Sequence, residues 1–272
     1  EAKNKVAIGV EISDSGVDMT VPGIAEYYAG AEGIGAIAKK ASEMPGADFV
    51  VLTLDGADPN GANKSVEDCV AVAKEVADAI DCPLAIQGCK NIEKDIQLFE
   101  KVAEALDGKN VLFVSAREES YKSIAAAAVM AYKQKVSAES AVDINLAKQL
   151  NVLISQMGVK AENCVMNVGS AAAGYGFEYV ASTLDRVKAA ALSQNDDMLQ
   201  MPIVTPVGDE AWGVKEAVVS EEDLPESGPR EARGIAMEVS TAASVIAGGS
   251  DAVILKHPES IKTIYYLNAH LA

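Results

Sequence analysis

The sequence predicts a single (β/α)8 barrel, the TIM-barrel class of α/β fold, and three observations carry that reading. Eight apolar runs alternate with amphipathic segments along the whole chain. Most runs are short, unbroken and rich in β-branched residues, as parallel strands buried on both faces require. The chain has 272 residues, 49% of them hydrophobic, which suits one barrel core. No stretch rich in Pro, Gly or Ser divides it, so residues 1–272 are expected to form one domain. A doubly wound open sheet is the alternative; eight even units without a central crossover gap favour closure.

The strands are expected at VAIGVEI (6–12), FVVLTLD (49–55), PLAIQG (83–88) and VLFVSA (111–116). KVSAES (135–140) is the weakest and is placed by position more than composition. NCVMNV (163–168), MPIVTP (201–206) and AVILKH (252–257) complete the set. Between them, residues 63–80 put Val66, Val70, Ala73 and Ala77 on one helical stripe, with Ser65 as N-cap and Asp68 three residues on. Residues 91–106 repeat the pattern through Ile92, Ile96, Phe99 and Val102. The helix over 141–158 stops at Gly158, and the last, over 258–271, opens on a proline suited to a first turn. After strand four, Arg117, Glu118 and Glu119 are expected to open a helix, with the acids at its positive end. Val207 to Gly228, which holds Trp212, Glu221, Glu222 and Asp223, is expected to be a long loop or lid.

Composition excludes several roles. A formal charge of -17 repels nucleic-acid phosphates and anionic membranes, so neither is expected as a partner. Cys69, Cys82, Cys89 and Cys164 show no CxxC spacing, and no iron–sulfur cluster is expected in this chain. With only His257 and His270, a His-rich metal site is not expected, and no Ser–His–Asp arrangement is supported. No signal-peptide pattern and no bilayer-spanning run stand out, and a cytoplasmic location is expected. The opening EAKNK leads almost directly into a strand, so the chain is expected to lack an N-terminal extension.

In a barrel the loops after the strands supply the binding groups. LDGADPNGAN (54–63) offers Asp55, Asp58, Asn60 and Asn63, either as an ordinary turn and helix cap or as a ring of polar groups facing a ligand. Gln87-Gly88-Cys89 brings a backbone amide close to the mouth; Cys89, without a neighbouring base, reads as inert. Arg117 either binds an anion or pairs with the acids beside it. Asp143 reads as a helix cap, with Asn145 next to it. NVGSAAAGYG (167–176) suits a phosphate on exposed amides or a broad planar ring laid close to backbone. TPVGDEAW (205–212) places Thr205, Gly208, Glu210 and Trp212 near the mouth. Lys256 is the one lysine at a strand end, and a lone His257 reads as structural. The inventory favours a ligand-binding face over catalytic machinery, and no catalytic residue is assigned.

Several ordered stretches carry a specific resemblance: residues 54–76, ESYKSIAAA (119–127), VDINLAKQLNVLI (142–154), GYGFEY (174–179), residues 201–212 and ILKHPE (254–259). They resemble the small, delta subunit of the corrinoid iron–sulfur protein of the carbon monoxide dehydrogenase/acetyl-CoA synthase system. The resemblance implies a barrel paired with a large subunit that holds a 4Fe–4S cluster and a corrinoid domain. The corrinoid (cobalamin) would lie between that domain and the barrel mouth. Its cobalt would carry a methyl group from a methyltetrahydropterin methyltransferase to acetyl-CoA synthase, in the acetyl-CoA (Wood–Ljungdahl) pathway. On loop position and resemblance together, Asp58, Asn60, Asn63 and Asn145 are expected to bond the corrin's peripheral amides. Gly88, Gly169, Ser170 and Gly174 would allow close approach, and Thr205 and Gly208 would stand over one edge. The barrel would then be a non-catalytic partner subunit. A pterin-binding corrinoid methyltransferase is the competing reading, drawing on Asp55, Asn60, Asp143 and Asn145. A purely structural barrel is the third.

Overall fold

A computed structural model of the chain describes residues 4–271. Eight parallel strands form one sheet: β1 (Ala7–Ser13), β2 (Phe49–Thr53), β3 (Leu84–Gln87), β4 (Leu112–Ala116), β5 (Lys135–Glu139), β6 (Cys164–Asn167), β7 (Val204–Pro206) and β8 (Ala252–Leu255). The ladder runs β6-β5-β4-β3-β2-β1-β8-β7. It closes between β6 and β7, where Met166 bridges Ile203 and its N–H donates to the Pro202 carbonyl at 2.7 Å. That closure selects the (β/α)8 barrel over the open sheet. Every expected strand is present, including the weak fifth.

Helices α1 (Pro22–Tyr27) and α2 (Ile34–Ser42) link β1 to β2, and α3 (Val66–Ala79) and α4 (Ile92–Ala105) follow β2 and β3. The α3 cap is reciprocal: the Ser65 hydroxyl accepts from the Asp68 N–H at 3.1 Å and donates to the Asp68 carboxylate at 2.7 Å. After β4, α5 (Tyr121–Ile124) runs on into a wider π-helical turn, Ala125–Ala131. The helix expected to open at Arg117 therefore starts later, because the Ser120 hydroxyl accepts from the Arg117 N–H and holds that segment in a turn. Next come α6 (Ile144–Gln156) and α7 (Phe177–Ser193). Gly158, at φ +94°, stops α6 as expected.

The stretch from Val207 to Gly228 is more ordered than a lid. It contains α8 (Gly208–Gly213) and α9 (Lys215–Val218), and then α10 (Arg230–Ala247) begins. Buried Arg233 of α10 organises this stretch. Its guanidinium donates to the carbonyls of Glu216 (2.7 Å), Leu224 (3.2 Å), Gly228 (2.6 Å) and Val219. The last helix is α11 (Pro258–Leu271). Among the described residues, no helix is long and apolar enough to cross a membrane.

Alternation along the strands sorts the core into two parts. Ile8, Val10, Ile12, Val50, Leu52 and Val253 belong to the large core under the helices. Val51, Ala85, Val114, Val204 and Ile254 fill the barrel interior, with Phe49, Leu112, Val165 and Ala252 against them. Gly9 has a steric role here. A Cβ at that position would lie 2.4 Å from the Phe49 ring, so the interior is filled by Phe49 only because β1 is bare beside it.

Replacing Gly9 by Ala is expected to cost about 1–3 kcal/mol through overpacking. Adding Phe49→Leu should return part of that loss. Urea unfolding of the single and double variants measures both; equal stability of Gly9→Ala and wild type would contradict this account of the interior.

Candidate functional site

The same alternation places the last inward residue of each strand at the C-terminal mouth. Above the apolar interior these are polar: Glu11 on β1, Thr53 on β2, Gln87 on β3, Glu139 on β5, Asn167 on β6, and Lys256 just past β8. A salt-bridged cluster forms there. The Lys256 ammonium lies 2.5 Å from Asp209 of α8 and 3.6 Å from Glu11. Lys90 reaches the other Asp209 oxygen at 3.2 Å, and the Gln87 amide donates to it at 3.3 Å. The Thr53 hydroxyl donates to Glu11 at 3.0 Å. Gly208 makes room for this cluster, since a Cβ would lie 2.8 Å from the Lys256 chain and 3.2 Å from Glu11. From behind, buried Glu238 of α10 accepts the Lys256 N–H at 2.6 Å and the His257 N–H at 3.2 Å.

Desolvation and pairing compete in this cluster. Burial lifts the Glu11 carboxyl to about 7; Lys256 opposes the shift and Asp209 adds to it. Burial would also raise Asp209, but Lys256 and Lys90 outweigh it and hold that carboxyl well below the usual range. Burial pulls the Lys256 ammonium down, yet Glu11 and Asp209 together raise it above the ordinary lysine value. Glu11 Oε2 is buried without a hydrogen-bond partner among the described residues.

Beside the cluster opens a cavity of about 150 Å³. Gln87, Lys90, Arg117, Asn167 and Asp209 line it, with Gly88, Gly169 and Ser170 at its rim. Arg117, just past β4, pairs with Glu139 on the neighbouring β5 at 3.0 Å rather than with the acids that follow it in sequence. Asn167 donates to the Ser115 hydroxyl at 2.8 Å and accepts the Gly169 N–H at 3.0 Å. Gly169 itself has φ +96°, and a Cβ there would crowd Val142 N at 3.2 Å. The same loop is tied across to α9, where the Tyr175 hydroxyl donates to Glu216 at 2.6 Å.

The structure brings together four of the residues expected at the site: Gly88, Gly169 and Ser170 line the cavity, and Gly208 abuts the charged cluster. Others lie further out. The Asp58 carboxylate accepts from the Asn60 N–H at 2.9 Å and the Asn60 amide at 3.2 Å, a local turn motif. Asn63 is exposed at φ +48°, and Gly174 is exposed at φ +83° with open space around it. Asn145 is exposed at the start of α6, where Asp143 caps the helix by accepting from the Asn145 and Leu146 N–H groups. Thr205 is buried, and its hydroxyl pairs with Ser250 at 2.8 Å. Its neighbour Val204 faces the barrel interior, so Thr205 points out toward the helices.

Two further readings resolve in the same way. His257 Nδ1 accepts from the Glu259 N–H at 3.1 Å, which leaves Nε2 to donate to Glu231 at 3.0 Å. Its ring stacks on Trp212, which packs over Gly234, so both rings fill the wall. Burial pushes the Cys89 thiol up to about 12, in keeping with an inert side chain. Sequence reading missed Glu11, Lys90, Asp95, Glu139, Asn167 and Asp209. For Glu11, Glu139 and Asn167 the available signal was a charged or amide residue near the end of a strand-like run, as in VAIGVEI and NCVMN; Lys90, Asp209 and Asp95, which lines the cavity from α4 and accepts the Cys89 N–H at 2.7 Å, carry no such signal.

Fold and site together define a (β/α)8 barrel with a polar, ion-paired mouth. Among the described residues, no three His, Cys, Asp or Glu side chains cluster to hold a metal ion. The chain belongs to the CO dehydrogenase/acetyl-CoA synthase delta-subunit family, whose profile matches residues 1–268. It is 29% identical over 265 residues to subunit delta 2 of the acetyl-CoA decarbonylase/synthase complex of Methanosarcina acetivorans, covering 96% of this chain and 60% of that protein. To the delta subunit from Methanothermobacter thermautotrophicus it is 33% identical over 253 residues, covering 91% and 64%. The chain thus spans about three fifths of the length of these relatives. In backbone it is similar to dihydropteroate synthases from Clostridium difficile (TM-score 0.61, 16% identity, 98% and 97% covered) and Coxiella burnetii (TM-score 0.61, 10%, 100% and 95%). At such identity the likeness is one of fold.

Glu11 sets an expected pH dependence. Its folded value near 7 lies above the ordinary 4.5, so the folded state binds the extra proton. Its contribution is complete below about 4.5 and is lost as pH rises through about 7. Between those limits stability should fall by up to about 3 kcal/mol. Glu11→Gln should flatten the profile, read by urea unfolding at pH 5 and pH 8; identical slopes would remove Glu11 as the cause.

Proposed function

We propose that this chain is the barrel subunit of a two-subunit corrinoid iron–sulfur protein and covers one face of its corrinoid. The observation that supports this most is the delta-subunit family match across residues 1–268. The relatives are named as parts of an acetyl-CoA decarbonylase/synthase complex, and the same complex is the proposed setting here. The partner would be the large subunit with the 4Fe–4S cluster. A methyltetrahydropterin methyltransferase would stand upstream and acetyl-CoA synthase downstream, all in the cytoplasm.

The residues present fit a large planar ring. Ser170 has a buried hydroxyl without a partner among the described residues, at the edge of a glycine-bearing loop. Exposed Val142 ahead of α6, Tyr175 and Tyr179 at the start of α7, and Val218 at the end of α9 all follow strands β5 to β7 and would offer apolar contact. Gly174 leaves open space beside them. Bound there, the corrinoid would supply the cobalt that carries the methyl group. This chain's own part is to seat the ring's edge, exclude water, and leave the metal's face free of protein ligands. His257, held by Glu231 and Trp212, is kept out of that role. Of the proposed corrin contacts, Gly88, Gly169, Ser170 and Gly208 would sit nearest the cavity and Asp58, Asn60, Asn63, Asn145 and Gly174 on the outer loops. Thr205 would act through the wall of β7. The pterin-binding reading draws on Asp55, Asn60, Asp143 and Asn145, of which Asn60 and Asp143 are engaged in a turn and a cap.

The test mixes this protein with its large subunit and cobalamin and reads retained corrin by absorbance. Gly174→Trp should weaken retention at least tenfold, whereas Gly174→Ala, which meets the same positive φ without bulk, should change it little. Equal retention in both would sink the assignment of that loop.

A further inference from the structure

The cavity beside the Lys256 cluster has a donor–acceptor balance of its own. Its cations are already matched: Lys90 pairs with Asp209 at 3.2 Å and Arg117 with Glu139 at 3.0 Å. Two more carboxylates, Asp95 and Glu210, line the cavity without an ion-pair partner among the described residues. A phosphate or carboxylate ligand would meet that excess of negative charge and is disfavoured. The unmet demand is for hydrogen-bond donors. The Gln87 amide donates to Asp209, which leaves its carbonyl Oε1 buried with no donor among the described residues, on a residue only 7% exposed. A ligand carbonyl or ring nitrogen has a donor to meet as well, because the buried Ser170 hydroxyl also lacks a partner among the described residues. Unmatched buried polar groups are costly, and a ligand that satisfies both recovers that cost.

We propose that this cavity binds a small, uncharged group with an amide edge: an N–H set beside a carbonyl or a ring imine. The N–H side meets Gln87 Oε1 and the spare carboxylate of Glu210, and the acceptor side meets Ser170. Size agrees. A water needs roughly 10–15 Å³, so about 150 Å³ holds several waters or one planar ring. The amide edge has two sources: a free lactam-type heterocycle, or a carboxamide hanging from a larger cofactor laid over the mouth.

The probe is isocytosine, a single ring with a lactam and an amino group, titrated into the purified protein and followed by ligand-detected NMR. Benzoate, flat and anionic, is the counter-probe. Isocytosine should bind saturably and benzoate should not. Gln87→Met should weaken isocytosine at least tenfold, and Glu210→Gln, a change at an exposed position that spares the fold, about threefold. No saturable isocytosine binding, tighter benzoate binding, or unchanged affinity in both variants would each overturn the proposal. Cobinamide separates the sources. Its displacement of isocytosine assigns the amide to a corrin side chain, and simultaneous binding assigns it to a free molecule. The corrinoid reading fails independently, as lost cobinamide binding with isocytosine binding intact.

Discussion

Closing eight strands into a barrel leaves each strand one inward row, and everything at the mouth of this protein follows from that constraint. The inward rows are apolar through Val51, Ala85, Val114, Val204 and Ile254, then turn polar within one step. Glu11, Gln87, Glu139 and Asn167 are therefore not scattered polar residues. They form the top layer of a stack whose lower layers are mostly hydrocarbon, with Ser137 below Glu139 donating to the Ser115 hydroxyl at 3.0 Å. The apolar layers hold the backbone rigidly enough to fix the polar ones, and the loops beyond inherit their positions from that layer.

A layer of this kind must settle its own charge. Ionised groups at the edge of a low-dielectric core are expensive unless partnered. Lys256 meets the requirement by standing between Glu11 and Asp209, and Asp209 by drawing on Lys90 and Gln87 as well. Because the partners come from β1, β3, α8 and the end of β8, the cluster ties the first and last strands together at the mouth. Glu11 is the least satisfied member, and so it is the one whose proton is shared out near neutrality.

Much of the fold was legible in the sequence because the physics is local. Continuous β-branched runs, the Ser65 cap with Asp68, and Gly158 after α6 each identify an element from a few neighbouring residues. The site was less legible because its determinants are distant in the chain. Lys256 meets Glu11 from the opposite terminus, and Arg117 meets Glu139 across two strands rather than its sequence neighbours. Inward and outward residues also look alike when both faces of a strand are buried. Thr205 and Val204 can be told apart only once the barrel is closed. Asp58 and Asn60 were visible as turn formers, and the structure shows that turn being made.

Arg233 leads to a different kind of consequence. One guanidinium from α10 holds the segment between Glu216 and Gly228 by main-chain carbonyls alone. Arg233 is the main anchor of that shape, joined by Arg230, which donates to the Ala217 carbonyl at 2.8 Å, and by the Ser220–Asp223 cap. Val218 and Glu222 are thus free to be exchanged for other residues while the platform keeps its outline. Only a planar fork of donors reaches four acceptors at once, so lysine at the anchor would not serve. Such a division of labour lets a surface be rewritten for a new neighbour without redesigning the scaffold that presents it.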